Sequence, residues 1–334
     1  MTSLESLLTN TLSARADMID SAHETAFRLF NGFLEGQPEL VVDVYARTAV
    51  LHNYANPPER AAASIASAQA WVQTTLPWVD TILAKARNAP DLATRQGVIV
   101  FGARLARRVR EHGVWYALDL RLNQDASLYL DTRNLRRWAL DNLAGLTVLN
   151  TFAYTGSLGV AARAGGAARV IHLDLHRPFL NVAKASYSLN GWPIDQADFQ
   201  ASDFWQRIGH YKKAGARVDC VFVDPPLFAE TSAGRVDLVG NSARVINKVR
   251  PLINHNGYLV TINNALFVAG AEYLRSLETL CADGYLSVEH LIDVPPDFTG
   301  YPGTVAGTQP TDPAPFNHST KIAVLRVRRK DGES

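Results

Sequence analysis

Apolar residues in this chain come in short runs divided by turn-forming residues, and the rhythm of the runs changes near residue 126. Before that point, Ala26–Phe33 and Leu40–Asn53 are apolar and rich in β-formers, split by Glu35-Gly36-Gln37-Pro38. Pro57-Pro58 closes the second run, and Glu59–Leu76 carries the alanine-rich composition of a helix. Strand-like pieces at Thr81–Lys85, Gly97–Phe101 and Val114–Leu120 complete a small α+β domain over residues 23–125. Residues 1–22 read as a polar helix or a loose arm.

From residue 126 to 334 strands alternate with helices. Strands are predicted at Thr147–Thr151, Arg169–Leu173, Asp198–Ala201, Asp219–Val223 and Gly257–Ile262. Helices are predicted at Ser157–Ala164, Pro178–Leu189, Trp205–Lys213, Val236–Val249 and Ala269–Ala282. Repeated β-α units predict an α/β domain, a Rossmann-like, mostly parallel sheet with helices on both faces. The last two runs, Tyr285–Val294 and Lys321–Arg329, have no helix between them and suit an antiparallel pair at one edge. The Gly- and Pro-rich stretch Pro295–His318 has the length of a lid or binding loop.

Composition narrows the classes without choosing one. Of 334 residues, 47% are hydrophobic and 19% charged, which excludes a disordered chain. No apolar run spans a bilayer and the N-terminus lacks a secretory pattern, so no membrane association and a cytoplasmic setting are expected. The two cysteines, Cys220 and Cys281, exclude a disulfide scaffold, and no metal-ligand spacing stands out. Lys and Arg number 33 against 32 Asp and Glu, so the whole chain has no basic footprint. Local basic clusters (Arg104, Arg107, Arg108, Arg110; Arg133, Arg136, Arg137; Arg326, Arg328, Arg329, Lys330) each read as solvated surface.

Ligands of such sheets sit beyond the C-terminal strand ends, so the residues there are the candidates. The first strand is followed by Phe152-Ala153-Tyr154-Thr155-Gly156, the second ends at Asp174, and Ser202-Asp203 follow the third. The glycine turn is not a full dinucleotide fingerprint. Asp174 can accept both hydroxyls of a ribose or cap the next helix, and Asp203 can accept from an adenine amino group or cap its own helix. Together they suit a nucleoside without phosphates, S-adenosylmethionine better than a dinucleotide. Asp224-Pro225-Pro226-Leu227-Phe228 follows the fourth strand. Two prolines there stiffen the chain and aim acceptors into the cleft, and Phe228 can stack on a flat ring.

At these residues the chain resembles the class I S-adenosylmethionine-dependent methyltransferases, and among them the bacterial large-subunit ribosomal RNA methyltransferases of the I/K type. The resemblance rests on Ala26–Tyr45, Tyr129-Leu130-Asp131-Thr132-Arg133, Leu149–Gly156 and Asp224–Phe228. It implies a class I methyltransferase sheet with S-adenosyl-L-methionine as cofactor. It implies cofactor contacts by Asp131, Arg133, Asn150, Phe152, Ala153, Tyr154, Thr155, Gly156, Asp174, Leu175, Ser202, Asp203 and Asp224. Asp224, Pro225 and Phe228 would then form the acceptor side, with ribosomal RNA as partner and a homodimer as an assembly to test. Two departures matter. A preceding PUA domain has no room in this chain. The fifth strand ends Thr261-Ile262-Asn263-Asn264, without the cysteine that a cytosine-C5 mechanism needs. The expectation is therefore methyl transfer to a base nitrogen. A fold-retaining RNA-binding factor, or a methyltransferase of a small molecule or protein, stays open.

Overall fold

A computed structural model describes residues 3–226, 228–231 and 234–329, and for 228–231 and 234–241 it describes the backbone alone. The chain divides into two compact units. One comprises Met1–Leu130 with Pro295–Gln309, the other Asp131–Val294 with Pro310–Ser334.

In the first unit, α1 (Leu4–Ala14) precedes β1 (Ala26–Asn31), the short α2 (Gly32–Glu35), β2 (Leu40–Tyr45) and β3 (Thr48–Asn53). Then follow α3 (Ala62–Thr75), β4 (Thr81–Ala86), α4 (Leu92–Gln96) and β5 (Val98–Phe101). The sheet order is β1-β2-β3-β4-β5, antiparallel except for β3 against β4, which α3 connects. Alternation places Leu40, Val42 and Val44 in one core with Leu8, Trp71 and Val72. The single run Leu40–Asn53 folds back on itself at Ala46, whose φ is +51°, a turn without glycine or proline to announce it.

Of the two readings of residues 1–22, a polar helix or a loose arm, the helix holds over Leu4–Ala14, and it is docked. Ser3 caps it by accepting from the Ser6 N–H at 3.2 Å, and Leu8 is buried. Arg15 is buried against Glu35 at 2.9 Å and donates to the carbonyls of Arg28 and Asp297. The first half of the Pro295–His318 stretch is anchored as well. Asp297, buried in a short helical turn, accepts from the Arg28 N–H at 2.9 Å, and Thr304 donates to Glu35 at 2.6 Å. A hairpin of β6 (Arg108–Glu111) and β7 (Val114–Ala117) completes the unit.

The second unit begins with α5 (Arg133–Asn142), a helix the arginine-rich sequence concealed. Its Arg136 is fully buried and donates to Thr132 at 2.8 Å, so that cluster is not simply solvated surface. Next come β8 (Thr147–Thr151), α6 (Ser157–Ala164), β9 (Arg169–Asp174), α7 (Arg177–Leu189) and β10 (Phe199–Ala201). They are followed by α8 (Phe204–Lys213), β11 (Val218–Val223), the hairpin β12 (Phe228–Thr231) and β13 (Gly234–Asp237), and α9 (Leu238–Val249). The unit ends with β14 (Ile253–Asn263), α10 (Gly270–Cys281), β15 (Leu286–Ile292) and β16 (Lys321–Val327). The sheet order is β10-β9-β8-β11-β14-β16-β15. The first five strands are parallel, and β16 inserts antiparallel between β14 and β15. Leu149, Val221 and Leu259 stand in register at the centre of the core.

Candidate active site

Strand order reverses between β8 and β11, and the crevice beyond their C-terminal ends is where such a sheet binds ligands. The loop leaving β8 is tightly bent. Phe152, Tyr154 and Gly156 all have positive φ, at +53°, +49° and +79°. Two non-glycine residues in that region store strain that the surroundings must hold. They do: the Ala153 N–H donates to the Leu173 carbonyl at 3.0 Å, and the Tyr154 N–H to Asp174 Oδ2 at 2.8 Å. Phe152 stacks on Phe204 with ring centroids 4.5 Å apart. Thr155 is buried. A Cβ on Gly156 would lie 2.5 Å from that of Ala183, so the tight approach of α7 requires glycine there.

Asp174 is half-buried and uses both oxygens, accepting from the N–H groups of Tyr154 and His176 at 2.8 Å each. Burial raises its carboxyl above the ordinary carboxylate range, against the pull of those two N–H groups. It therefore braces the β8 loop, and it is not the side-chain cap of α7. Leu175 beside it is 56% exposed. The Ser202 N–H donates to the Asp174 carbonyl. Asp203 caps α8, accepting from the Gln206 N–H at 2.9 Å. Asn150, 2% exposed near the end of β8, has a buried Nδ2 with no hydrogen-bond partner among the described residues.

On the other side of the crevice, Asp224 ends β11 and is pushed up to about 7 by burial and by the neighbouring Asp131 carboxylate. Asp131 lies in a 3-10 turn before α5 and accepts from the Thr320 hydroxyl at 2.8 Å. Arg133 opens α5. Pro225 is half-buried and Pro226 exposed. Leu227 lies outside the described residues, and only the backbone of Phe228, in β12, is described.

Several contributors escaped the sequence reading. Tyr273 of α10 is buried, shares a 2.9 Å hydrogen bond with Thr261, and feels the Asp224 carboxylate, which with burial raises its phenol. Lys321 is fully buried at the start of β16 and donates to the carbonyls of Ala265 and Ser319, tying two loops beyond β14 and β16 together. Burial pushes its ammonium down to about 8. A lysine opening an apolar strand carries no sequence signal for that role. Asn263 accepts from the Ala265 N–H, and Asn317 pairs with both backbone groups of Val294, so both asparagines shape loops. His172 is a core residue, stacked on Phe199 and hydrogen-bonded to Tyr187 at 3.2 Å, with burial holding it down at about 3 and hence neutral. No group of side chains among the described residues could hold a metal.

A sequence model of the S-adenosylmethionine-dependent methyltransferases matches residues 56–308. The chain belongs to this family. Among its relatives, the ribosomal RNA large subunit methyltransferase I of Erwinia tasmaniensis is 26% identical over 279 residues, 83% of this chain and 69% of that protein. Its namesake in Serratia proteamaculans is 30% identical over 205 residues, 61% of this chain and 52% of that protein. The namesake in Photobacterium profundum is matched over 46% of its length, so the chain spans about half of two of these three relatives. The crystal structure of SMU.776 complexed with SAH shares the fold, with a TM-score of 0.82 at 20% identity, covering 97% of this chain and 81% of that one.

The residues present fit the family's cofactor, S-adenosylmethionine. Its sulfonium and ammonium are cations, and three carboxyl groups, Asp131, Asp174 and Asp224, stand at the strand ends or the turn beside them. Burial holds Asp174 and Asp224 above the ordinary carboxylate range, and the Asp131 carboxylate adds to the rise at Asp224. The orphaned Asn150 amide adds an unmet donor, a group that normally finds a partner when buried. No helix among the described residues is long and apolar enough to cross a membrane.

Proposed function

We propose that the chain moves the methyl group of S-adenosylmethionine to a nitrogen of an RNA base, in ribosomal RNA of the large subunit. The observation that carries this reading is the corner after β11. Asp224 has no hydrogen-bond partner among the described residues and is followed by two prolines that fix the backbone beside it. A ring nitrogen attacks with its own lone pair and needs alignment alone, whereas an amino nitrogen also needs acceptors, which Asp224 and the Pro225 carbonyl would supply. S-adenosylmethionine brings a methyl group already activated on sulfur. In this reading Asp131, Asp174 and the Phe152–Gly156 loop hold the cofactor, with Arg133, Asn150, Leu175, Ser202 and Asp203 around it. Asp224 orients the acceptor and takes the proton that an amino nitrogen releases.

Support for nitrogen over carbon comes from the thiols. Cys220 lies mid-strand in β11, fully buried, with its thiol raised far above the useful range. Cys281 ends α10, next to β15, whose first residue pairs with the last of β16 at the edge opposite the crevice. A cytosine-C5 mechanism needs a thiolate at the crevice, and neither cysteine stands there. Support for RNA comes from the relatives' names. The test is transfer of a tritiated methyl group to unmodified ribosomal RNA, to a protein extract and to a small-molecule extract. Label in RNA, reduced more than tenfold by Asp224→Ala with S-adenosylhomocysteine affinity kept, is expected. Label only in protein or small molecules, or none despite cofactor binding, overturns it.

A further inference from the structure

The first unit carries a cleft of about 330 Å³ on which Arg47, Arg104, Arg107 and Arg108 converge, against two acids, Glu24 and Asp80. Only Arg47 is paired, with Asp80 at 3.5 Å. Arg104, Arg107 and Arg108 are exposed and form no ion pair among the described residues. Some surface arginines elsewhere are matched to acids, Arg60 to Glu39, Arg137 to Asp141 and Arg169 to Asp198. Others, Arg121, Arg177, Arg217 and Arg275, are exposed without an ion pair among the described residues, as these three are. What distinguishes Arg104, Arg107 and Arg108 is that they line one cleft together.

The cleft is also built rigidly. Its loop is pinned from both sides: the Thr81 hydroxyl donates to the Arg104 carbonyl, and the Ala106 N–H to the Thr48 hydroxyl, each at 2.9 Å. The Leu118 N–H donates to the Arg107 carbonyl at 2.8 Å, and the Arg110 N–H to the Glu24 carbonyl at 2.7 Å. Gly102 enters the loop at φ +74°, where a Cβ would collide with the Asp80 carbonyl at 2.1 Å. Arg108 and Arg110, two apart on one face of β6, both lie over the Trp115 ring, at 4.3 and 5.6 Å. Stacking on the ring restricts the rotamers of both side chains.

We infer that this cleft grips the phosphodiester backbone of RNA. Arginine forks match phosphate oxygens, and an aromatic ring among them suits a nucleotide chain better than a free anion. The contacts would be to backbone and carry no base specificity. The inference rests on the RNA reading above and adds a second site to it.

The experiment is binding of a fluorescent large-subunit ribosomal RNA fragment by the full chain across a salt series, with S-adenosylhomocysteine affinity measured in parallel. The variant R104E/R107E/R108E should bind at least tenfold more weakly, with a log-affinity against log-salt slope shallower by about 2, because phosphate contacts release counterions. Its cofactor affinity should be unchanged. The variant R104K/R107K/R108K should keep most of the slope. If the reversal variant does not fold, the single variants R104Q, R107Q and R108Q should each flatten the slope by up to about 1. Unchanged RNA affinity and slope in variants that still bind cofactor overturn the inference while leaving the RNA reading intact. A wild-type chain that binds no RNA at any salt sinks both.

Discussion

Asp174 and Asp224 are both raised by burial, yet they are held differently. Asp174 spends its two oxygens on the Tyr154 and His176 N–H groups, so it shapes the loop besides its proposed contact with the cofactor. Asp174→Ala should weaken S-adenosylhomocysteine binding by about 1–3 kcal/mol, roughly 5- to 150-fold, read by calorimetry. Asp224 has no such support. A carboxyl raised to about 7 binds a proton that the unfolded chain has released above about 4. Between those values the native state holds more protons, so stability falls as pH rises through that window. Urea midpoints at pH 5 and pH 8 should therefore differ less in Asp224→Asn than in the wild type, with the variant gaining at pH 8. An identical pH dependence in the two proteins would show that Asp224 ionises normally. Both carboxylates were legible in the sequence because each stands one step past a predicted strand. Thr320 and Tyr273 were not, because their roles depend on partners 189 and 12 residues away.

The elements that position these residues depend on a few close approaches. Helix α7 comes so near the β8 loop that Gly156→Ala should cost roughly 1–3 kcal/mol, combining a left-handed backbone with a clash against Ala183. Chemical denaturation measures it, and a loss under about 0.5 kcal/mol would mean the loop relaxes. In the first unit, α1 is fastened by the buried pair of Arg15 and Glu35. Arg15→Ala leaves Glu35 buried and uncompensated and should cost about 3–5 kcal/mol. A double variant replacing both with apolar residues of similar volume should recover much of it. The β-α alternation was readable after residue 126 because buried parallel strands are short apolar runs between turns. Three things were not readable. The turn at Ala46 lacks turn residues, α5 hides its apolar stripe among arginines, and the hairpin β12–β13 follows the Pro-Pro corner where a loop into α9 was expected.

For the whole molecule, near-neutral net charge conceals local charge. Acids spread over the chain offset its 33 Lys and Arg in the sum and leave the cleft of Arg104, Arg107 and Arg108 invisible to it. The family followed from order along the chain: a glycine-ended loop after the first strand, acids after the second and third, and an Asp-Pro-Pro corner after the fourth. The proposed preference for nitrogen rests instead on where two cysteines do not stand. The most direct test of that reading is nucleoside mass spectrometry on ribosomal RNA from cells lacking this protein, after incubation with it and deuterated-methyl S-adenosylmethionine. The account predicts one new methylated nucleoside with the label on a base nitrogen, absent with Asp224→Ala. A label on carbon five of a pyrimidine, or on a ribose oxygen, would contradict it.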